Sequence, residues 1–153
     1  MDYSDFFGRK ADVVARDLLG RMLIRKTETD VIGGQIVETG AYEGDNGSDS
    51  RSGMKYAPGE LFLMPYRGAY LLNIATEREG IASCVEIRGL RFHGRKINGS
   101  GLIRATLNIP KELDGQMLGK EIKIKGESVK RSLTERTEGN TPNSTGYFYL
   151  SEN

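Results

Sequence analysis

The chain has 153 residues, 37% of them hydrophobic and 28% charged, which fits a single globular domain large enough to bury a core. No run approaches the ~18 apolar residues that a membrane-spanning helix needs, and MDYSDFFGRKADVV lacks the basic-then-apolar pattern of a secretory signal, so a cytoplasmic protein is expected. The formal net charge is +1, and one cysteine (Cys84) with one histidine (His93) excludes an internal disulfide and a Cys/His zinc cluster.

In chain order, Val13, Val14, Ala15, Leu18 and Leu19 recur at helical spacing, with Gly20 following as a C-cap. MLIRKT then reads as a strand, TETD as a turn and VIGGQIVETGAY as a longer strand. Residues 43–59, rich in Gly, Ser and Asp, read as a long loop of the kind that often carries function. ELFLMP and GAYLLNIAT read as two strands around a tight Tyr66-Arg67-Gly68 connection. SCVEIRGL is another strand, with Ala82, Cys84 or Val85, and Ile87 supplying its core face. Cys84, set among apolar residues, is expected to be a small buried hydrophobe. RFHGRKINGSG reads as a basic loop leading into a helix, LIRATLNI, with a second capped piece, PKELDGQMLG, after it. EIKIKG alternates isoleucine with lysine as an edge strand does, and GYFYLSE reads as a closing strand. Mixed strands with a few helices predict an α+β domain on an antiparallel sheet, one unit over residues 1–153.

Charge is unevenly spread. Residues 86–131 hold eleven Lys/Arg against five acids, so this span carries about +6 and the rest about −5. Such a half suits a phosphate-facing surface, and equally an ordinary solvated face. Three short stretches carry candidate chemistry. In IVETGAYEGD, strand periodicity puts Glu38, Gly40 and Tyr42 on one face, a carboxylate beside a stacking ring, although an amphipathic strand with a surface ion pair has the same pattern. In PYRG (65–68), Pro and Gly bracket an aromatic and a cation, either a wedge for a base stack or a plain turn. In GRKINGSG, Arg95 and Lys96 precede a helix start, where backbone N–H groups suit a phosphate.

The blocks IVET-x-AY-x-G, PG-x-L, Tyr66 with Asn73 seven residues on, CVEIRGL and GSGLIRATLNI occur in the order and spacing of one known family. Together with the opening DVVARDLLGRMLIR, they make the chain resemble the alkyladenine (3-methyladenine) DNA glycosylases over roughly residues 5–125. The resemblance implies a curved antiparallel sheet with flanking helices and a monomer acting on double-stranded DNA that contains damaged purines. No membrane, metal or organic cofactor is implied. It also implies base-excision repair: a tyrosine enters the minor groove, the damaged nucleotide flips into an aromatic pocket, and an activated water attacks C1′. By position, Tyr66 matches the intercalating residue, Tyr42 a pocket wall, Asn73 the pocket floor, and Arg88 an arginine near the flipped nucleotide. Arg67, Arg95 and Lys96 are the candidate phosphate contacts.

The departures from that family fall on the chemistry. The family strand reads IVETEAY and its second glutamate holds the water; here Gly40 stands there. Ser50 is the closest match to a pocket histidine, and a second pocket aromatic falls at Leu63 or Phe62. Glu38 is then the surviving carboxylate on the face, two residues or roughly 6–7 Å from Gly40 along the strand. Three functions follow: a glycosylase using Glu38 or a loop acid such as Asp45 or Asp49, a lesion binder that does not cut, or an RNA- or protein-binding module on the same fold.

Overall fold

The computed structural model describes residues 1–43, 55–129, 133–136 and 144–150. Its first helix, α1 (Tyr3–Phe7), is capped by Asp2, whose carboxylate accepts the Asp5 N–H at 3.1 Å. Five residues are too few to display a helical period, which is why sequence periodicity does not show it. The periodic helix is α2 (Ala11–Leu18); Ala11, Val14, Ala15 and Leu18 are its buried stripe, while Val13 faces water. Beyond it Gly20 takes a positive φ of 91°, as expected of a residue closing a helix.

Nine strands are formed by the described residues, all in one curled antiparallel sheet. They are β1 (Met22–Lys26), β2 (Val31–Tyr42), β3 (Leu61–Tyr66), β4 (Ala69–Ala75), β5 (Cys84–Phe92), β6 (Arg95–Asn98), β7 (Ile122–Lys125), β8 (Leu133–Arg136) and β9 (Ser144–Leu150). The main path runs β3-β4-β5-β2-β1-β7, with β6 beside β5, and β9 beside both β2 and β8. Twelve-residue β2 is the spine: its first half pairs β1, its second half pairs β9, and β5 runs along its other edge. With α3 (Ser100–Thr106) packed near β4 and β5, this is the α+β arrangement expected from the order of elements.

Three stretches differ from the sequence reading. RFHGRKINGSG is not a loop: β5 runs on to Phe92, and a two-residue turn at His93 and Gly94 (φ 49° and 77°) folds β6 back on it. Positive φ at both central residues is what the type I′ form of a two-residue hairpin requires, and histidine tolerates it better than most. In PKELDGQMLG only Lys111–Leu113 are helical, as a single 3-10 turn. The closing strand β9 pairs with the central β2, and so reaches the middle of the sheet.

Alternation along β3, β4 and β5 builds two buried layers, one on each face. Leu61, Leu63, Leu72, Ile74, Val85 and Ile87 join α2 and α3 in the main core. Phe62, Met64, Ala75 and Cys84 point the other way, into a smaller layer with Tyr42 and Ala82. The open choice between Cys84 and Val85 is therefore settled by face: Val85 belongs with Ile87, Cys84 with the second layer. Cys84 is fully buried, as its apolar setting implied.

Candidate active site

The second layer opens into a cleft where β2 and β5 break register. Pairing runs Ile36↔Leu90, Glu38↔Gly89, Thr39↔Ile87, so Val37 and Arg88 are passed over. A bulge of this kind re-aims a side chain, here that of Arg88. Its guanidinium donates from Nε to Glu38 Oε2 (3.2 Å) and from Nη1 to Glu86 Oε1 (3.1 Å), and it lies 4.1 Å from the centre of the Tyr147 ring on β9. Burial works against the Arg88 charge, but the Glu86 carboxylate above all, with Tyr42 and the bond to Glu38 adding to it, outweighs that and pushes its pKa above the ordinary arginine value.

Glu86 is the more enclosed of the two acids, its side chain 6% exposed against 21% for Glu38. Its Oε1 also accepts from the Tyr42 hydroxyl (3.0 Å), and its Oε2 accepts from Ser100 Oγ (2.5 Å) at the start of α3. Glu38 is spanned by two cations, with Lys96 Nζ 3.1 Å from its Oε1. Gly40 sits between these groups, register partner of Glu86 on one side and of Tyr147 on the other. A Cβ there would stand 2.9 Å from Arg88 Cδ and 3.1–3.2 Å from Tyr147 ring carbons. Glycine is what lets the arginine and the ring close over β2 at this point.

The cleft holds about 290 Å³. That is the small end of the ~300–1,000 Å³ range of small-molecule sites, a volume for one planar ring system. The cleft is lined by Tyr42, Glu86, Arg88 and Tyr147 together with Met64, Leu71 and the Gly99-Ser100-Gly101 start of α3. Tyr66 stands on the rim at the end of β3, 48% exposed. Beyond it Arg67 and Gly68 make a two-residue turn with φ of 47° and 79°, and the Arg67 guanidinium lies 5.2 Å from the centre of the Tyr66 ring.

The remaining residues singled out from sequence are placed as follows. Phe62 lies in the second layer, ring centres 4.9 Å from Tyr56, whereas Leu63 is in the main core, so of the two alignments Phe62 is the one on the cleft face. Asn73 is fully buried, register partner of both Phe62 and Glu86, and does not itself line the cleft. Its Nδ2 donates to the Leu71 carbonyl (3.2 Å) and its Oδ1 accepts from Cys84 Sγ (3.6 Å). Arg95 is exposed on β6, and its neighbour Lys96 is the residue bonded to Glu38. Ser50, Asp45 and Asp49 lie outside the described residues.

With this geometry in place, the comparison with known proteins is direct: the sequence model of the family described as methylpurine-DNA glycosylase matches residues 5–140. The chain belongs to the methylpurine-DNA glycosylase family. Among its relatives, a protein of Methanocella arvoryzae is 30% identical over 137 residues, covering 72% of this chain and 68% of the relative. A protein of Chlorobium phaeobacteroides is 34% identical over 125 residues (71% and 63%), and one of Rhodopirellula baltica 37% over 97 residues (58% and 42%). All three bear the provisional name 3-methyladenine DNA glycosylase. The chain matches about half the length of most of these curated relatives, 42–48% in four of the first five.

Within this member of the methylpurine-DNA glycosylase family, sequence reasoning missed three cleft residues. Glu86 had a signal: two residues before Arg88 in one strand, it shares the arginine's face. Ser100 had a weaker one, as the only side chain in the Gly99-Ser100-Gly101 run. Tyr147 had none, because nothing local says that a C-terminal strand will pair with the middle of β2.

Proposed function

We propose that this chain binds duplex DNA bearing alkylated purines, turns the damaged nucleotide out of the helix, and hydrolyses its N-glycosidic bond. Family membership supports the reaction class, and one observation carries the rest. An exposed aromatic, Tyr66, stands at a hairpin tip on the rim of a base-sized cleft, and the wall of that cleft holds an arginine–carboxylate pair. A ring at that position can occupy the space a flipped nucleotide vacates, while Arg67 beside it meets the phosphates. Inside, the extruded base lies against the Tyr42 and Tyr147 rings, and its sugar comes toward Arg88. An N-alkylated purine already carries positive charge, so breaking its bond to C1′ releases a neutral base and needs no proton donor.

Gly40 favours a second reading, in which the protein holds lesions without cutting, since the Cβ position there is closed by Arg88 and Tyr147. Single-turnover assays with protein in excess, on duplexes carrying 7-methylguanine, hypoxanthine or no lesion, separate the two. Release of 7-methylguanine supports excision, and lesion-selective retention without release makes the protein a binder. Tyr66→Ala should weaken retention of the lesion duplex by about 1–3 kcal/mol, the range for one stacked aromatic, with an unchanged melting temperature. Equal retention by this variant removes the wedge.

A further inference from the structure

We propose that Glu86, on β5, is the carboxylate that activates the attacking water in this chain, and that Glu38 is a positioning residue for Arg88. The assignment rests on the excision reading above. Both acids touch the same guanidinium, yet they occupy different places. Glu86 is the one acidic side chain lining the cleft among the described residues, and its two oxygens are oriented by Tyr42 from β2, Arg88 from the bulge and Ser100 from α3. Glu38 does not line the cleft; it bridges Arg88 and Lys96, one cation on each oxygen. Three donors from three elements fix the Glu86 carboxylate rigidly, as a group that must meet one water at one angle requires.

The second strand of the argument is Gly40. It pairs directly with Glu86, and cross-strand partners hold their Cβ positions about 4.5–5.5 Å apart. A carboxylate projecting from β5 at this register therefore serves the same volume as one projecting from β2, and a bare glycine on β2 keeps Arg88 seated on Glu86. A side chain at both positions would force them to share that space, with Arg88 Cδ already 2.9 Å from the Cβ site of residue 40. Absence of a side chain on one strand and presence of an acid on its partner thus form a single arrangement.

In the reaction, a water oxygen forms a bond to C1′ as the C1′–N bond breaks. The bonding pair passes to the cationic purine, which leaves neutral, and the water proton passes to a Glu86 oxygen and then to solvent. Arg88 remains protonated throughout and holds Glu86 in place. Cationic N-alkylated purines are the substrate class this serves, since the cleft offers a proton acceptor in Glu86 while the leaving base needs no proton.

The test compares Glu86→Gln and Glu38→Gln in single-turnover release of 7-methylguanine across pH, with retention of the same duplex measured in parallel. Glu86→Gln should slow release by about 10²–10⁴-fold and flatten the acid side of the pH–rate profile, with retention unchanged. Glu38→Gln should slow release much less and keep that acid side. If Glu86→Gln fails to retain the duplex, Glu86→Asp is used; slowed release with the acid side preserved supports the assignment. Release by Glu86→Gln at the wild-type rate, or a larger loss in Glu38→Gln, overturns the assignment alone. A wild-type protein that releases no base overturns the excision reading as well.

Discussion

The two faces of β4 and β5 both carry buried apolar residues, but on the second the layer also encloses a charged cluster. On the first, Leu72, Ile74, Val85 and Ile87 join a core with the apolar residues of α2 and α3. On the other, Glu86 and Arg88 of the same strand meet Tyr42, Ser100 and a glycine. The first face is stabilised by area removed from water, which is non-directional and tolerant of exchange at equal volume. The second depends on each charge finding its partner, because a buried ion left alone is costly. Stability should therefore reside on one face and function on the other, and substitutions that separate the two quantities test that division.

The largest stability effect is expected on the apolar face. Leu72→Ala removes a fully buried side chain that faces Leu63 across β3 and should cost about 2–5 kcal/mol, read as a lower urea midpoint. Base release per folded molecule should change little, because Leu72 points away from the cleft. A large loss of rate at full folding would show that the faces are not independent.

Gly40→Ala probes the other face and should invert the pattern. Its Cβ meets Arg88 Cδ and the Tyr147 ring, so the arginine must shift and its bonds to Glu38 and Glu86 lengthen. Overpacking of this kind costs about 1–3 kcal/mol, toward the low end here because an arginine stem can move. The rate of release should fall by more than the stability loss explains. Wild-type rate with intact stability would mean that Arg88 is not needed where it sits.

This asymmetry also accounts for what could be read in advance. The apolar face announces itself by period: α2, β2, β3, β4, β5 and the edge strand β7 were all legible, since alternation or a helical stripe is a property of consecutive residues. The hairpin at His93-Gly94 was not, because a non-glycine residue with positive φ leaves little trace in sequence. The cleft was half legible. Tyr42, Tyr66 and Arg88 stand in recognisable motifs, whereas Glu86 reads as one acid in a basic stretch and Glu38 as the candidate carboxylate. What distinguishes the two acids is which one faces the cleft beside Arg88, and that depends on a bulge, on β6 folding back to bring Lys96 to Glu38, and on β9 bringing in Tyr147. None of these is local in sequence.

The smallest expected effect guards the pH measurement on which the Glu86 assignment depends. Asp17 on α2 belongs to neither face; it accepts from Arg9 (2.9 Å) and Arg21 (3.1 Å), with its side chain 24% exposed. Burial pushes its pKa up, but the two arginines outweigh that and hold it below its ordinary 3.8. A carboxylate with a depressed folded pKa contributes stability that is fully present above the unfolded value and lost as pH falls through the folded one. Asp17→Asn should therefore cost about 1 kcal/mol at pH 5–7, and the gap from wild type should close only below the ordinary value of 3.8. Urea midpoints of the two proteins between pH 7 and 2.5 give the comparison directly. A fall in base release that sets in above that window, in wild type and Asp17→Asn alike, originates in the cleft and not in a loosening scaffold. If the two proteins instead lose release at different pH values, the acid side of the profile reports unfolding, and Glu86 must then be judged by the size of its rate effect alone.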